Sequence, residues 1–382
     1  MASLQNTRTK IATARLALLF CVFFLIACGL GYPILSRFDP RQTPGLSDVK
    51  IYASLVTGTA TGTATGTATG TASPDAGHVR FRVLVPWLAK PFYRLAQGRF
   101  ATWDPVMFGL LVAASLFVAG TAVVIVILGV IFGGIPGNGL GNRQMGGSAA
   151  GLVGALLYLV NFAVPNLRLV GLVDAGEGFF LLALLWSLSE RELWALPVIA
   201  VLGALTKESF IPFSMVLTSA WWFSTWPDRD NDRSADHRND DRRNEDRNRA
   251  RARKTAAWIL TSWVLSLATM IGLQWSITGR FVSPLQFGLA LHRGDDYLGH
   301  FASSLHDRNL WYIFLWLLPT AIPNLKRLPK AWLIPVGATC AMAFVLDAYF
   351  GGAPGTVGRA LFSIAGPVLS LSSALLLLRI SS

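Results

Sequence analysis

The chain has 382 residues, of which 53% are hydrophobic and only 14% charged, with a mean hydropathy of +0.48. That composition excludes an ordinary soluble domain of this length and points to a polytopic membrane protein. The formal charge of +12 comes from Lys and Arg spread over loops rather than gathered on a soluble module, so nucleic acid is not an expected partner.

A helix needs roughly 20 apolar residues to cross the hydrocarbon layer, because unpaired backbone groups are not tolerated there. About ten segments approach that length. They lie near 16–35, 106–133, 149–165, 177–189, 193–206, 209–226, 256–277, 310–325, 331–350 and 359–378. The expected fold is therefore all-α, a single integral membrane domain over 1–382, with merging or re-entrance of 177–206 left open. Arg8, Lys10 and Arg15 precede the first segment, Arg247 to Lys254 the seventh, and Lys326, Arg327 and Lys330 separate the eighth from the ninth. An even number of spans puts these clusters, and Arg379, on one side, which the positive-inside rule makes cytoplasmic. Both termini then face the cytoplasm, and the loops 36–105 and 278–309 face outward.

The three cysteines, Cys21, Cys28 and Cys340, all fall within predicted spans and suggest neither a disulfide framework nor a zinc site. Leu25-Ile-Ala-Cys28 resembles a lipoprotein cleavage box, but hydrophobicity continues to Leu35, so a full-length anchor is the simpler reading. The absence of any Asn-x-Ser/Thr site leans towards a bacterial envelope, in its inner membrane.

In the first outer loop, Asp48 stands four residues before Tyr52, and the loop returns through Arg80 and Arg82. Between them, Thr57 to Ala72 repeats Thr-Gly-Thr-Ala, a tract with no large apolar side chain to offset its ordering entropy. Val83 to Leu95, with Pro86, Trp87 and Tyr93, has the character of an amphipathic interfacial helix. Carboxylates bordering spans are costly unless they face a partner or a cavity, which singles out Asp174, Glu177, Glu208 and Asp347. For Glu177 the first-turn dipole is an ordinary alternative reason.

Residues 227–255 mix eight acids with ten bases and read as a disordered, solvated cytoplasmic linker. His292, His300 and His306 share a loop with Arg293, Asp295, Asp296 and Asp307. Their spacing defines no site: a divalent metal and ligase-like chemistry stay open beside an ordinary polar loop. Gly133 to Gly141 lacks the strand and the Lys-Ser/Thr that a phosphate loop requires, so it reads as a turn.

Asp48 with Tyr52, Leu172-Val-Asp174-Ala-Gly-Glu177, Leu205-Thr-Lys207-Glu208-Ser209 and, more weakly, Gly358-Arg359-Ala-Leu-Phe362 together resemble the polyprenyl-phosphate-dependent integral membrane glycosyltransferases of the GT-C fold. The likeness covers roughly residues 16–226. It implies inverting sugar transfer on the outer face, from a lipid-linked donor, among membrane lipids, to an acceptor whose identity the sequence leaves open. Asp48 would be the general base, with Asp174 the second catalytic candidate. Tyr52, Arg80, Arg82, Lys207, Glu208 and Arg359 would bind substrate, the cations meeting the departing phosphate. No cofactor is called for by these residues. Where many relatives carry two adjacent acids, Asp48 stands between Ser47 and Val49. The competing readings are a transporter or flippase and a non-catalytic envelope assembly protein. Against alternating access, no repeated half is visible, and the acids gather at one face instead of mid-bilayer.

Overall fold

The computed structural model describes residues 2–37, 47–58, 81–99, 103–133, 143–225, 238–279, 296–351 and 356–380. Among them there are helices and turns and no strand. Each of the ten apolar segments is helical over most of its length. Among the described residues, five helices are long and apolar enough to cross a membrane: Thr13–Leu35, Pro105–Phe132, Ala252–Ile277, Lys330–Phe350 and Thr356–Leu378 lie within them. The protein is thus a helical membrane protein.

In chain order, α1 (Ala2–Arg37) leads to two helices of the first long loop, α2 (Ser47–Thr57) and α3 (Leu84–Ala96). There follow α4 (Pro105–Gly133), α5 (Arg143–Val160), a π-helical turn at Val164–Arg168, α6 (Asp174–Glu190), α7 (Ala195–Thr206) and α8 (Phe210–Ser224). The remainder comprises α9 (Arg238–Thr278), α10 (Tyr297–Leu305), α11 (Arg308–Phe314), α12 (Leu317–Leu325), α13 (Lys330–Phe350) and α14 (Thr356–Ile380).

The centre of the bundle is α4 with α14, whose apolar stretches are mostly buried, whereas only 22% of those of α1, α9 and α13 is buried, as in lipid-facing helices. Glycine allows the central helices to meet backbone to backbone. A Cβ on Gly129 of α4 would lie 2.4 Å from the Cα of Gly151 in α5, and one on Gly109 would lie 2.7 Å from the carbonyl oxygen of Ala89 in α3. The second contact seats α3 across the start of α4. Its Val85, Ala89 and Ala96 are buried while Trp87, Leu88 and Leu95 stay exposed, the two-sided pattern expected of an interfacial helix.

Several boundaries differ from expectation for identifiable reasons. The 149–165 helix ends at Val160, where Asn161 turns the chain: its side chain accepts from the Ala163 amide at 2.9 Å and donates to the Ile313 carbonyl at 3.1 Å. Residues 177–206 do not merge; Arg191, at φ 59°, adopts the left-handed conformation that stops α6 before α7 begins. The 310–325 segment is two helices broken at Leu315–Trp316, because Pro319 has no N–H to donate to the Leu315 carbonyl and its ring would clash with that oxygen in a continuous helix. The charged stretch is a partial correction. Residues 226–237 lie outside the described residues, but from Arg238 the chain is already helical and runs unbroken into the apolar half of α9, with no Gly or Pro before Gly272 to stop it. The repeat from 59 onward, Arg80 and the glycine-rich turn at 134–142 also lie outside the described residues.

Overpacking the α4–α5 contact tests this arrangement. Gly129→Val is expected to destabilise the purified protein by about 1–3 kcal/mol, lowering its thermal midpoint in detergent. Gly272→Val, at a position where a Cβ meets nothing within 4 Å, is expected to leave the midpoint nearly unchanged.

Candidate functional site

One end of the bundle gathers the ionisable residues. Asp174 opens α6, Lys207 and Glu208 form the turn between α7 and α8, and Arg359 sits in the first turn of α14. Alternating chain direction brings these three helix ends to the same level. The Lys326, Arg327 and Lys330 turn lies at the other end of α13 from Asp347, hence away from the cluster.

Two ion-pair networks share the Lys207-Glu208 turn. In the first, Arg82 forks onto Glu208, with Nε at 2.8 Å from Oε2 and Nη2 at 2.5 Å from Oε1. Its Nη1 reaches Asp48 Oδ2 at 3.3 Å and the Tyr52 hydroxyl at 3.1 Å. The guanidinium therefore pins α2 to the α7–α8 turn, 126 residues away in sequence from Arg82. Burial works to lower the Arg82 pKa, but the Glu208 carboxylate and the Tyr52 hydroxyl outweigh it and hold it well above its ordinary value. Burial pushes the Tyr52 phenol up, so Tyr52 serves as a neutral hydrogen-bonding group.

In the second network, Lys207 Nζ lies 2.7 Å from Asp174 Oδ1 and 3.2 Å from Glu177 Oε2, and Arg359 Nη1 lies 3.5 Å from Asp174 Oδ2. Ser209 donates to the other Glu177 oxygen. Desolvation opposes the Lys207 charge, yet Asp174 and Glu177 more than offset it and raise its pKa. Lys207 is an ammonium at physiological pH, and two of its three donors are engaged by those carboxylates.

Beneath this layer lies Arg168, fully buried, which donates to the Asp174 carbonyl, to the Arg359 carbonyl at 3.3 Å and to Ser363 Oγ at 2.6 Å. Its guanidinium also stands 5.4 Å from the centre of the Phe362 ring. Arg168 thus ties the start of α6 to the start of α14. Gly178 leaves room for it: a Cβ there would lie 3.1 Å from Arg168 Nη1.

Beside the charged layer opens a cavity of about 410 Å3 between α8, α9, α13 and α14. Among the described residues its polar lining comprises Lys207, Glu208, Ser209, Gln274, Asp347 and Thr356; the others are apolar, including Ile211, Phe213, Leu267, Met270, Leu346 and Phe350. A mostly apolar site bearing one ammonium and two carboxylates suits a ligand with both an apolar and a polar part.

Asp48, Tyr52, Arg82, Asp174, Lys207, Glu208 and Arg359 are thus brought into one connected constellation; Arg80 lies outside the described residues. Exposure separates the acids. Asp48 keeps 31% of its side chain accessible, Glu208 17%, Asp174 3% and Glu177 none. The histidine loop splits: His292, Arg293 and Asp295 lie outside the described residues, while Asp296 and Asp307 cap α10 and α11. Among the described residues no group of three His, Cys, Asp or Glu is placed to hold a metal. The sequence reading missed Arg168, Ser363 and Thr356. An arginine three residues after Pro165 in a turn between apolar segments carries no local sign that its partner lies 195 residues away.

The chain matches no family model, no curated protein and no solved structure. The functional reading therefore rests on the site itself.

Asp174→Ala would leave the Lys207 ammonium and the Arg359 guanidinium short of a buried partner. It is expected to cost about 3–5 kcal/mol, seen as a large drop in thermal midpoint. Because the Lys207 pKa is raised, its contribution to stability is complete below the unfolded-state value and is lost as pH rises through the higher folded value. The midpoint is therefore expected to fall in strongly alkaline buffer, and less so in Lys207→Met.

Proposed function

We propose that the protein is a membrane glycosyltransferase that takes a sugar from a polyprenyl-phosphate donor at the outer face of a bacterial inner membrane. The observation that carries this reading is the mostly apolar cavity with Lys207 and Glu208 in its wall, Glu208 being joined through Arg82 to the accessible carboxylate of Asp48. The lipid chain occupies the apolar part. The phosphate lies against Lys207, whose third donor is available to it, with Arg359 behind.

In this reading the ten apolar segments cross or enter the bilayer, with the termini and the start of α9 on the cytoplasmic side. A helix of 12 residues such as α7 extends about 18 Å, well short of the hydrocarbon thickness. Starting near the cytoplasmic surface, it would deliver the Lys207-Glu208 turn below the outer surface. Recession of this kind suits a site that must meet a lipid phosphate and exclude most water.

The transfer balances as a single displacement. The acceptor hydroxyl oxygen attacks the anomeric carbon while Asp48 takes its proton, and the bond from that carbon to the phosphate oxygen breaks with inversion. The electron pair leaves on the lipid phosphate, whose growing charge Lys207 stabilises. Asp48 suits the base role better than Asp174, because it is the accessible acid, whereas both oxygens of Asp174 are taken up by Lys207 and Arg359. Asp174 instead positions those cations. Arg82, itself held by the Tyr52 hydroxyl, orients Asp48 in the same way.

The test is transfer from a synthetic glycosylated polyprenyl phosphate in proteoliposomes. Asp48→Asn is expected to lower turnover by about 10²- to 10⁴-fold while leaving donor binding intact, as loss of a general base does. Lys207→Ala is expected to weaken donor binding and turnover together. Near-normal turnover by Asp48→Asn removes that residue from the chemistry.

A further inference from the structure

Among the described residues, three charged side chains line the cavity, and they are not equivalent. Lys207 is engaged by Asp174 and Glu177, and Glu208 is forked by Arg82. Asp347, near the end of α13, is held differently. Thr356 donates to its Oδ1 at 2.7 Å and Ser304 donates to its Oδ2. Among the described residues no lysine or arginine pairs with it.

That difference is chemically informative. An ionised carboxylate offers about four acceptor positions, and two hydroxyl donors leave the remainder for a ligand in the cavity. A guanidinium partner would have consumed that capacity and neutralised the charge; two hydroxyls orient the carboxylate without doing either. The orientation comes from three elements, since Thr356 begins α14, Ser304 belongs to α10, and α10 is further tied to α13 by the His300 ring nitrogen Nδ1 at 3.1 Å from the Ala348 carbonyl oxygen. Carboxylates repel phosphate, so the anionic head of a ligand belongs on the Lys207 side of the cavity and a neutral donor-rich group on the Asp347 side. Phe350 lines the same cavity and offers that group an apolar ring.

The geometry points to Asp347 as the acceptor that recognises the hydroxyl groups of a glycosyl unit carried on the lipid phosphate, making it a specificity-determining residue of the donor site. This inference rests on the proposed function and adds to it how a glycosylated lipid is told from the bare lipid that remains after transfer. Asp347 exchanges no proton in this role. It contributes hydrogen bonds to a charged acceptor, and the bare lipid phosphate has no hydroxyl with which to make them.

Binding measurements on the full chain in detergent test it, with undecaprenyl phosphate compared to its glucosyl and arabinosyl esters. The wild type is expected to prefer at least one ester over the bare lipid by about tenfold or more, as hydrogen bonds to a charged group allow. Asp347→Ala is expected to bring that ratio close to one, and Thr356→Val to reduce it partly by releasing Oδ1. Asp347→Asn, which keeps the volume and one acceptor, is expected to fall between the wild type and Asp347→Ala, and its thermal midpoint checks that folding is retained. Lys207→Ala is expected to weaken every lipid without changing the ratio. An unchanged preference in folded Asp347→Ala and Thr356→Val overturns the inference, as does a wild type that binds bare and glycosylated lipids equally; the donor-site reading survives both results. A wild type that binds no polyprenyl phosphate of any kind overturns the two together.

Discussion

Everything at the charged end of the bundle depends on the Lys207-Glu208 turn. Two adjacent residues of opposite sign are partnered in opposite directions: Glu208 by Arg82 in the first long loop, and Lys207 by Asp174 and Glu177 at the start of α6. Through Asp174 the same turn reaches Arg359 of α14. Charges so little exposed to water require partners, and removing one strands another. The network is therefore a geometric constraint more than a source of net stability. It fixes where α2 and α3 dock and how far apart the starts of α6 and α14 stand.

That constraint bears directly on the cavity. Its walls come from α8, α9, α13 and α14, which pack largely through apolar side chains, with a hydrogen bond from the Trp263 indole of α9 to Thr218 of α8. Lys207, Glu208 and Ser209 anchor one wall to the ion pairs, while the Thr356 hydroxyl ties the start of α14 to Asp347 near the end of α13. Arg168 braces the arrangement from below by linking the openings of α6 and α14. The result is a compartment whose polar groups are positioned before any ligand arrives, the condition under which electrostatic stabilisation is most effective.

Much of this was legible in the sequence, and the reasons differ by residue. Composition alone dictated an all-helical membrane protein, since each run of apolar residues has only one way to satisfy its backbone in lipid. Asp174, Glu177, Glu208 and Asp347 stood out because an acid at the end of an apolar run demands an explanation. Which charge meets which did not follow. Arg82 and Glu208 are 126 residues apart and Arg359 and Asp174 are 185 apart, so pairing depends on tertiary geometry that local pattern does not contain. Arg168 was overlooked because nothing local distinguishes a buried bracing arginine from an interfacial one. Composition also misled for Arg238–Lys254, where a high density of mixed charge was read as disorder although the segment contains no residue that interrupts a helix.

The central claim is that a lipid phosphate sits at Lys207 with its chain in the cavity between α8, α9, α13 and α14. Photocrosslinking with a polyprenyl phosphate bearing a diazirine on its chain, in membranes containing the intact protein, addresses that claim most directly. The account predicts adducts on cavity-lining residues such as Phe213, Leu267, Met270 and Leu346, competed by unlabelled polyprenyl phosphate and diminished in Lys207→Ala. Adducts confined to the exposed faces of α1 and α5, insensitive to competitor and to Lys207, would contradict it.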